Sequence, residues 1–279
     1  MKETLELRID YDYANLLFKA NEGKNIGTSV RIVELSKDDP LYKEIPIIAD
    51  ELKRKFDKSF FFGWEIKRKY SRKELEQAKL FLIKIKIVFE PTGEECGTLY
   101  DETVSCEICG ANRKQVSSLI LKKGTIPKKD IAKTIGGEII VSSKFESAVE
   151  KRKLKGLQFT QINFEKSVSD YYQLTTSSEI VLSPNTIVGI NPFDLSPKSE
   201  NEIYKCPKGD TIGLNRLSEA YVLSSPSIKD YDFLKSKQKI GVKRGLLSPE
   251  PLYFCSSAFI KMIEEEKLSG LEFEIVNIE

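Results

Sequence analysis

Two stretches of this chain are copies of one another, and a fold must accommodate both in the same way. VSSKFESAVEKRKLKGLQFTQI (141–162) aligns without gaps on CSSAFIKMIEEEKLSGLEFEIV (255–276), with nine of 22 positions identical. In each copy a short apolar run (138–141; 252–255) enters a pair of serines, residues suited to capping a helix N-terminus. Ser143 with Glu146 reads as a capping box. Phe145, Ala148 and Val149 in one copy, and Phe259, Met262 and Ile263 in the other, fall on one helical face. Gly156 and Gly270 are placed to end the helices in a left-handed turn. Leu157 with Phe159, and Leu271 with Phe273, then begin an outgoing strand. Each copy therefore reads as strand–helix–strand.

The remaining chain divides around these copies. Residues 1–90 read as an N-terminal α/β segment. Residues 30–35 suit a strand, and Asp39-Pro40 suits a helix start carrying Leu41, Ile45, Ile48, Leu52 and Phe56, with Pro46 delaying or bending it. Residues 60–70 read as extended. Ser71 to Glu74 has the capping-box pattern of a short helix. Residues 79–90 alternate, with Phe81, Ile83, Ile85, Ile87 and Phe89 on one face, which predicts a strand buried on that side. Residues 91–112 form a knuckle segment, residues 113–164 the first repeat unit with a strand at 118–122, and residues 165–279 a linker followed by the second unit. Residues 165–205, rich in Ser, Thr, Asn and Pro, are the expected loop-rich connection. The expected class is α+β.

The chemistry concentrates in PTGEECGTLYDETVSCEICGAN (91–112). Cys106-Glu-Ile-Cys109-Gly110 is a CxxCG knuckle, a turn that aims two thiolates at one metal with glycine permitting the tight backbone beyond. Gly93-Glu-Glu-Cys96-Gly97 has the same shape with glycine in the first cysteine's place. A closed structural zinc site needs four ligands. Cys206, in the knuckle-like Cys206-Pro-Lys-Gly209-Asp210, is the first choice to complete Cys96, Cys106 and Cys109, with Asp101 or Asp210 as oxygen alternatives. Cys255 aligns with Val141 and belongs to the core. Two alternatives stay open: a ribbon-shaped segment of reduced thiols without metal, and a redox CxxC pair.

Composition excludes several chemistries. The chain has no histidine, which removes Ser-His-Asp and Cys-His hydrolases and HExxH metalloproteases. No other acid–base set converges, so the expectation is a non-enzyme. The 44 basic and 42 acidic residues nearly cancel, which argues against a global nucleic-acid or membrane field. The longest apolar run, 80–89, is broken by Lys84 and Lys86. The charged N-terminus lacks the apolar core of a signal peptide, and the reading is cytoplasmic. One local exception is 51–73, basic with Phe60, Phe61, Phe62, Trp64 and Tyr70 interleaved, a pattern that suits single-stranded nucleic acid as well as a solvated helix end followed by a core strand.

The doubled CxxCG-like knuckle, together with IIVSSKFESAVEKRKLKGLQF, resembles double-CxxCG-type bacterial immunity proteins of polymorphic toxin systems. The likeness is clearest over residues 91–162 and recurs at 252–276, and the chain departs from it at Gly93. The resemblance implies a non-enzymatic cytoplasmic zinc-binding protein that binds and neutralises a cognate toxin. A zinc-ribbon nucleic-acid-binding protein is the alternative.

Overall fold

The computed structural model describes residues 1–164, 167–193 and 205–279, and the chain forms two compact units. The α+β class holds. In the N-terminal unit, β1 (Lys2–Asp10), β2 (Lys24–Ile26), β3 (Val30–Ser36) and β4 (Phe61–Lys69) form an antiparallel sheet in the order β2-β3-β1-β4. Leu5, Leu7 and Ile9 of β1 and Val33 and Leu35 of β3 are buried. The helix α1 (Leu41–Phe56) begins where Asp39 accepts a hydrogen bond from the Leu41 amide at 2.9 Å, and Pro46 lies inside it. Ile45 and Leu52 are its buried residues. Phe193 returns to this unit, with its ring centre 5.1 Å from that of Tyr42.

The second unit contains, in chain order, β5 (Leu80–Ile85), β6 (Val88–Phe89), β7 (Ile120–Leu121), β8 (Ile131–Thr134), β9 (Ile139–Ser142), α2 (Ser143–Arg152), β10 (Gln158–Phe164) and β11 (Ser167–Thr175). After these come β12 (Lys205–Cys206), β13 (Thr211–Ile212), β14 (Ala220–Val222), β15 (Phe233–Ile240), β16 (Glu250–Ser256), α3 (Ser257–Glu265) and β17 (Leu271–Ile278). They build two sheets with one plan. The first runs β6-β8-β9-β11-β10-β7, and the second contains the path β13-β15-β16-β5-β17-β14. In both, a hairpin (β8-β9; β15-β16) leads into the repeat helix, and an antiparallel strand (β11; β5) separates the hairpin from the outgoing strand (β10; β17). Short parallel strands border each side: β6 on β8 and β7 on β10, matched by β13 on β15 and β14 on β17.

The two copies hold each other by a reciprocal latch. Asp130 accepts from the Ser142 hydroxyl of its own copy at 3.1 Å and from the Ser269 amide of the other copy at 2.8 Å. Asp232 repeats this, accepting from the Ser256 hydroxyl at 2.7 Å and the Lys155 amide at 2.9 Å. Ser142 and Ser256 in turn cap their helices by accepting from the Phe145 and Phe259 amides. The cap is thus Ser142, not Ser143: Ser142 is extended and holds Asp130, whereas Ser143 already lies within the helix. Gly156 and Gly270 also differ from expectation. Helix α2 closes on left-handed Lys153, and the turn after α3 carries left-handed Lys267. The two glycines, a few residues on, also take positive φ, 92° and 108°, and they allow close backbone approach, since a Cβ would strike the Phe233 carbonyl at Gly156 and the Ile131 carbonyl at Gly270. Between the copies, Phe145 meets Phe259 edge-on at 6.0 Å in one continuous core with Val141, Cys255 and Met262.

Two further sequence expectations change. Residues 79–90 are not one strand with one buried face. β5 is central, with Phe81 and Ile83 in the shared core and Leu80 and Leu82 in a second apolar cluster on the opposite face, and the chain then passes to β6 in the other sheet. The stretch expected as a linker from residue 165 contains β11, a central strand of the first sheet. Residues 165–166 and 194–204 of that stretch lie outside the described residues.

The latch predicts a pH-dependent stability. Burial raises the Asp130 carboxyl, but hydrogen bonds from Ser269 and Ser142 outweigh it and hold the group below its ordinary range. A depressed carboxyl stabilises the fold above its unfolded pKa, about 3.9, and that contribution is lost as pH falls through the lower folded value. Asp130→Ala is expected to cost about 1–3 kcal/mol in urea denaturation at neutral pH. The gap from the native chain should narrow below about pH 4.

Candidate metal centre

Two turns a hundred residues apart bring three sulfurs together. In the first, the Gly110 amide donates to the Cys106 carbonyl and the Cys106 amide to the Ala111 carbonyl, both at 2.7 Å. Gly110 and Asn112 take positive φ, 72° and 71°, which curls the chain after Cys109. The second is the hairpin joining β12 to β13, in which Cys206 pairs with Thr211 across Pro207 to Asp210. Asp210 takes the left-handed conformation there, at φ 52°, matching Gly110 in the first turn.

The sulfurs of Cys106, Cys109 and Cys206 lie within 4.8 Å of one another, with Cys106 and Cys206 at 3.4 Å. Cys109 and Cys206 are buried at 6% and 4% exposure, with Ala111 packed among them. Backbone amides already face the sulfurs. Those of Cys109 and Ile108 donate to the Cys106 sulfur, and with further hydrogen bonds from the other two cysteines they bring its thiol down to about 7. Burial raises the Cys206 thiol, partly offset by the Gly209 amide. The Thr211 hydroxyl donates to the Cys109 sulfur at 3.2 Å. Amide N–H groups aimed at sulfur favour the thiolate, the form that ligates metal. Three clustered cysteines of this kind could hold a metal ion, and thiolates suit zinc and other soft ions.

Cys96 is not in this group. It ends a short 3-10 turn, Glu94–Cys96, made by its own capping box: the Thr92 amide donates to Glu95 at 2.7 Å and the Glu95 amide to the Thr92 hydroxyl at 3.3 Å. Gly97 closes the turn at φ 96°. Gly93 is glycine for packing, since a Cβ there would run into the Leu119 side chain and crowd Thr98 and Glu138. The GxxCG pattern of 93–97 is therefore the pattern of a capped turn. The proposed oxygen donors also stand apart from the group. Asp101 accepts from the Thr103 amide at 2.9 Å, closing a turn of its own. Cys255 is fully buried in the shared core, and burial pushes its thiol well up.

Beside the centre is a cavity of about 700 Å³ lined by Gly110, Asn112, Arg113, Lys239, Gln173 and Thr176 among others. Arg113 lies 3.9 Å over the Tyr100 ring and pairs with Glu94 at 2.8 Å, and the Tyr100 hydroxyl donates to buried Glu138. No motif in the sequence marked this cavity, because its lining is drawn from five separate stretches of chain. Thr211 was also missed; its only signal is its position two residues after Gly209 in the cysteine hairpin. Compared with models of known families and with curated proteins, the chain matches none of them.

The centre and the core thiol should be separable by reactivity. In chelator-treated native protein, iodoacetamide is expected to label Cys106 first, at a rate half-maximal near pH 7. Cys255 should stay unlabelled until the protein unfolds. Peptide mapping by mass spectrometry reads both.

Proposed function

We propose that this is a zinc-binding protein in which the ion, held by Cys106, Cys109 and Cys206, ties the 91–112 segment to the β12–β13 hairpin. The observation that carries this reading is the convergence of three sulfurs from two turns of the same shape. The role of the metal is structural, and the protein works by binding rather than by catalysis. Protein purified without chelator should carry about one zinc per chain by elemental analysis. Cys206→Ser should lose it and Cys96→Ser should keep it. Chelation should speed hydrogen exchange at 106–111 and 205–212 while α2 and α3 stay protected. Metal-free protein, or equal zinc in both variants, would refute the reading.

Beyond the metal, we propose an immunity-type role in the cytoplasm, binding and neutralising a cognate bacterial toxin. What supports it is the resemblance carried by the 106–110 knuckle and the duplicated segment, together with the absence of histidine. The nucleic-acid alternative is weakened by where the basic stretch puts its charge. Lys67 pairs with Glu6 at 2.5 Å and Glu34 at 2.7 Å, and Arg68 with Glu3 at 2.7 Å. Nucleic-acid affinity rests on cations left for phosphate. Capture of the native protein from its host should recover a toxin domain at stoichiometric level. Salt-sensitive recovery of RNA or DNA instead, weakened by charge reversal at the exposed Arg54, Lys58 and Lys69, would overturn this reading.

A further inference from the structure

We infer that Cys106 and Cys206 are a site of reversible oxidation, at which a peroxide joins the two sulfurs in a disulfide between the knuckle and the β12–β13 hairpin. The bond itself rests on the geometry of the sulfurs. Its consequence, release of the metal, rests in addition on the zinc reading above.

Three observations single out this pair. The first is distance, since the two sulfurs lie 3.4 Å apart. Two thiolates on one tetrahedral zinc are about 3.8 Å apart, so the spacing suits a shared ion. A disulfide bond is about 2.05 Å long, which leaves about 1.4 Å to close. The two turns already approach closely enough for this, because a Cβ at Gly209 would sit 3.3 Å from the Cys106 Cβ. The second is access. Cys106 is half-buried, whereas Cys109 and Cys206 are 6% and 4% exposed, so an oxidant arriving from solvent meets Cys106 first. The third is the hold on Cys109. Its sulfur accepts from the Thr211 hydroxyl at 3.2 Å and is backed by Gly209, where a Cβ would stand 2.2 Å from it. The bond therefore crosses between the turns and does not close within the CxxC pair.

The chemistry balances with one peroxide. The Cys106 thiolate attacks a peroxide oxygen, the O–O bond breaks, and a sulfenic acid and a hydroxide result. The Cys206 thiolate then attacks that sulfur, forms the S–S bond and expels a second hydroxide. Two electrons pass from the sulfurs to the peroxide. Zinc is held by thiolates, and only Cys109 of the three still offers one. The ion leaves, and the disulfide takes over its task of tying the knuckle to the hairpin.

The test treats native full-length protein with hydrogen peroxide, quenches it with iodoacetamide in denaturant, and maps peptides by mass spectrometry without reductant. Free thiols should fall from five to three, with Cys106 linked to Cys206. A chromogenic chelator should read one zinc released per cross-link, and dithiothreitol should restore all five thiols. Cys96→Ser should form the same cross-link. Hydrogen exchange at 106–111 and 205–212 should be slower in the oxidised protein than in reduced, chelated protein. A link from Cys106 to Cys109 or to a second chain overturns the inference. So does sulfinic acid at Cys106 without a cross-link, or five thiols left intact. A Cys106–Cys206 link in protein that never held zinc, or that keeps its zinc, upholds the oxidation site and strikes the zinc reading instead.

Discussion

Asp130 and Asp232 each hold the cap of one repeat helix with one carboxylate oxygen and an amide of the other copy with the second. Neither copy can cap its own helix fully and leave the other unlatched. The exchange sets the close approach of Gly156 to Phe233 and of Gly270 to Ile131, and this brings Phe145 against Phe259 in a core that belongs to both. Half-buried carboxylates that accept several N–H and O–H groups are strongly directional, so the latch specifies the pairing as well as stabilising it. The central strands then follow. β11 comes from the chain just after the first copy, and β5 from far before the second, yet each fills the same place in its sheet.

The cysteine centre occupies the margin of this arrangement. Its first knuckle lies between β6 and β7, in a segment with little regular structure, and its second turn borders the sheet through β13 on β15. A segment like 91–112, with few apolar side chains to bury, gains little from the hydrophobic core. Ligation by a metal would offset its conformational entropy in another way, since apparent zinc-binding energies in small domains are on the order of 10 kcal/mol. Protein contacts supply part of the same function, through Arg113 on the Tyr100 ring and the Tyr100–Glu138 hydrogen bond.

The duplicated helices were legible because their signals are local: paired serines, an apolar stripe and a glycine sit within one short window. What failed there was fine placement. Ser142 and Ser143 are both cap residues by type, and only Asp130, a dozen residues away, decides between them. The two lysines at left-handed φ could not be read, because glycine is the expected residue there and the real glycines answer to contacts with the other copy. β11 was hidden by its polar composition, Ser-Val-Ser-Asp-Tyr-Tyr-Gln, which suits a loop until flanking strands satisfy its backbone. In the centre, Cys106, Cys109 and Cys206 were visible from knuckle spacing. Cys96 was misleading for a definite reason: a capped 3-10 turn and a metal knuckle both end in Cys-Gly, and the distinguishing Thr92–Glu95 box lies upstream of the motif.

The central claim is that two turns, and not three, build the centre. X-ray absorption at the zinc edge, on protein dialysed free of small thiols, measures this directly. The account predicts a first shell of three sulfurs at about 2.3 Å and one lighter donor. The zinc should be lost in Cys206→Ser, and the shell should be unchanged in Cys96→Ser. Four sulfurs in the native protein, falling to three in Cys96→Ser, would contradict it.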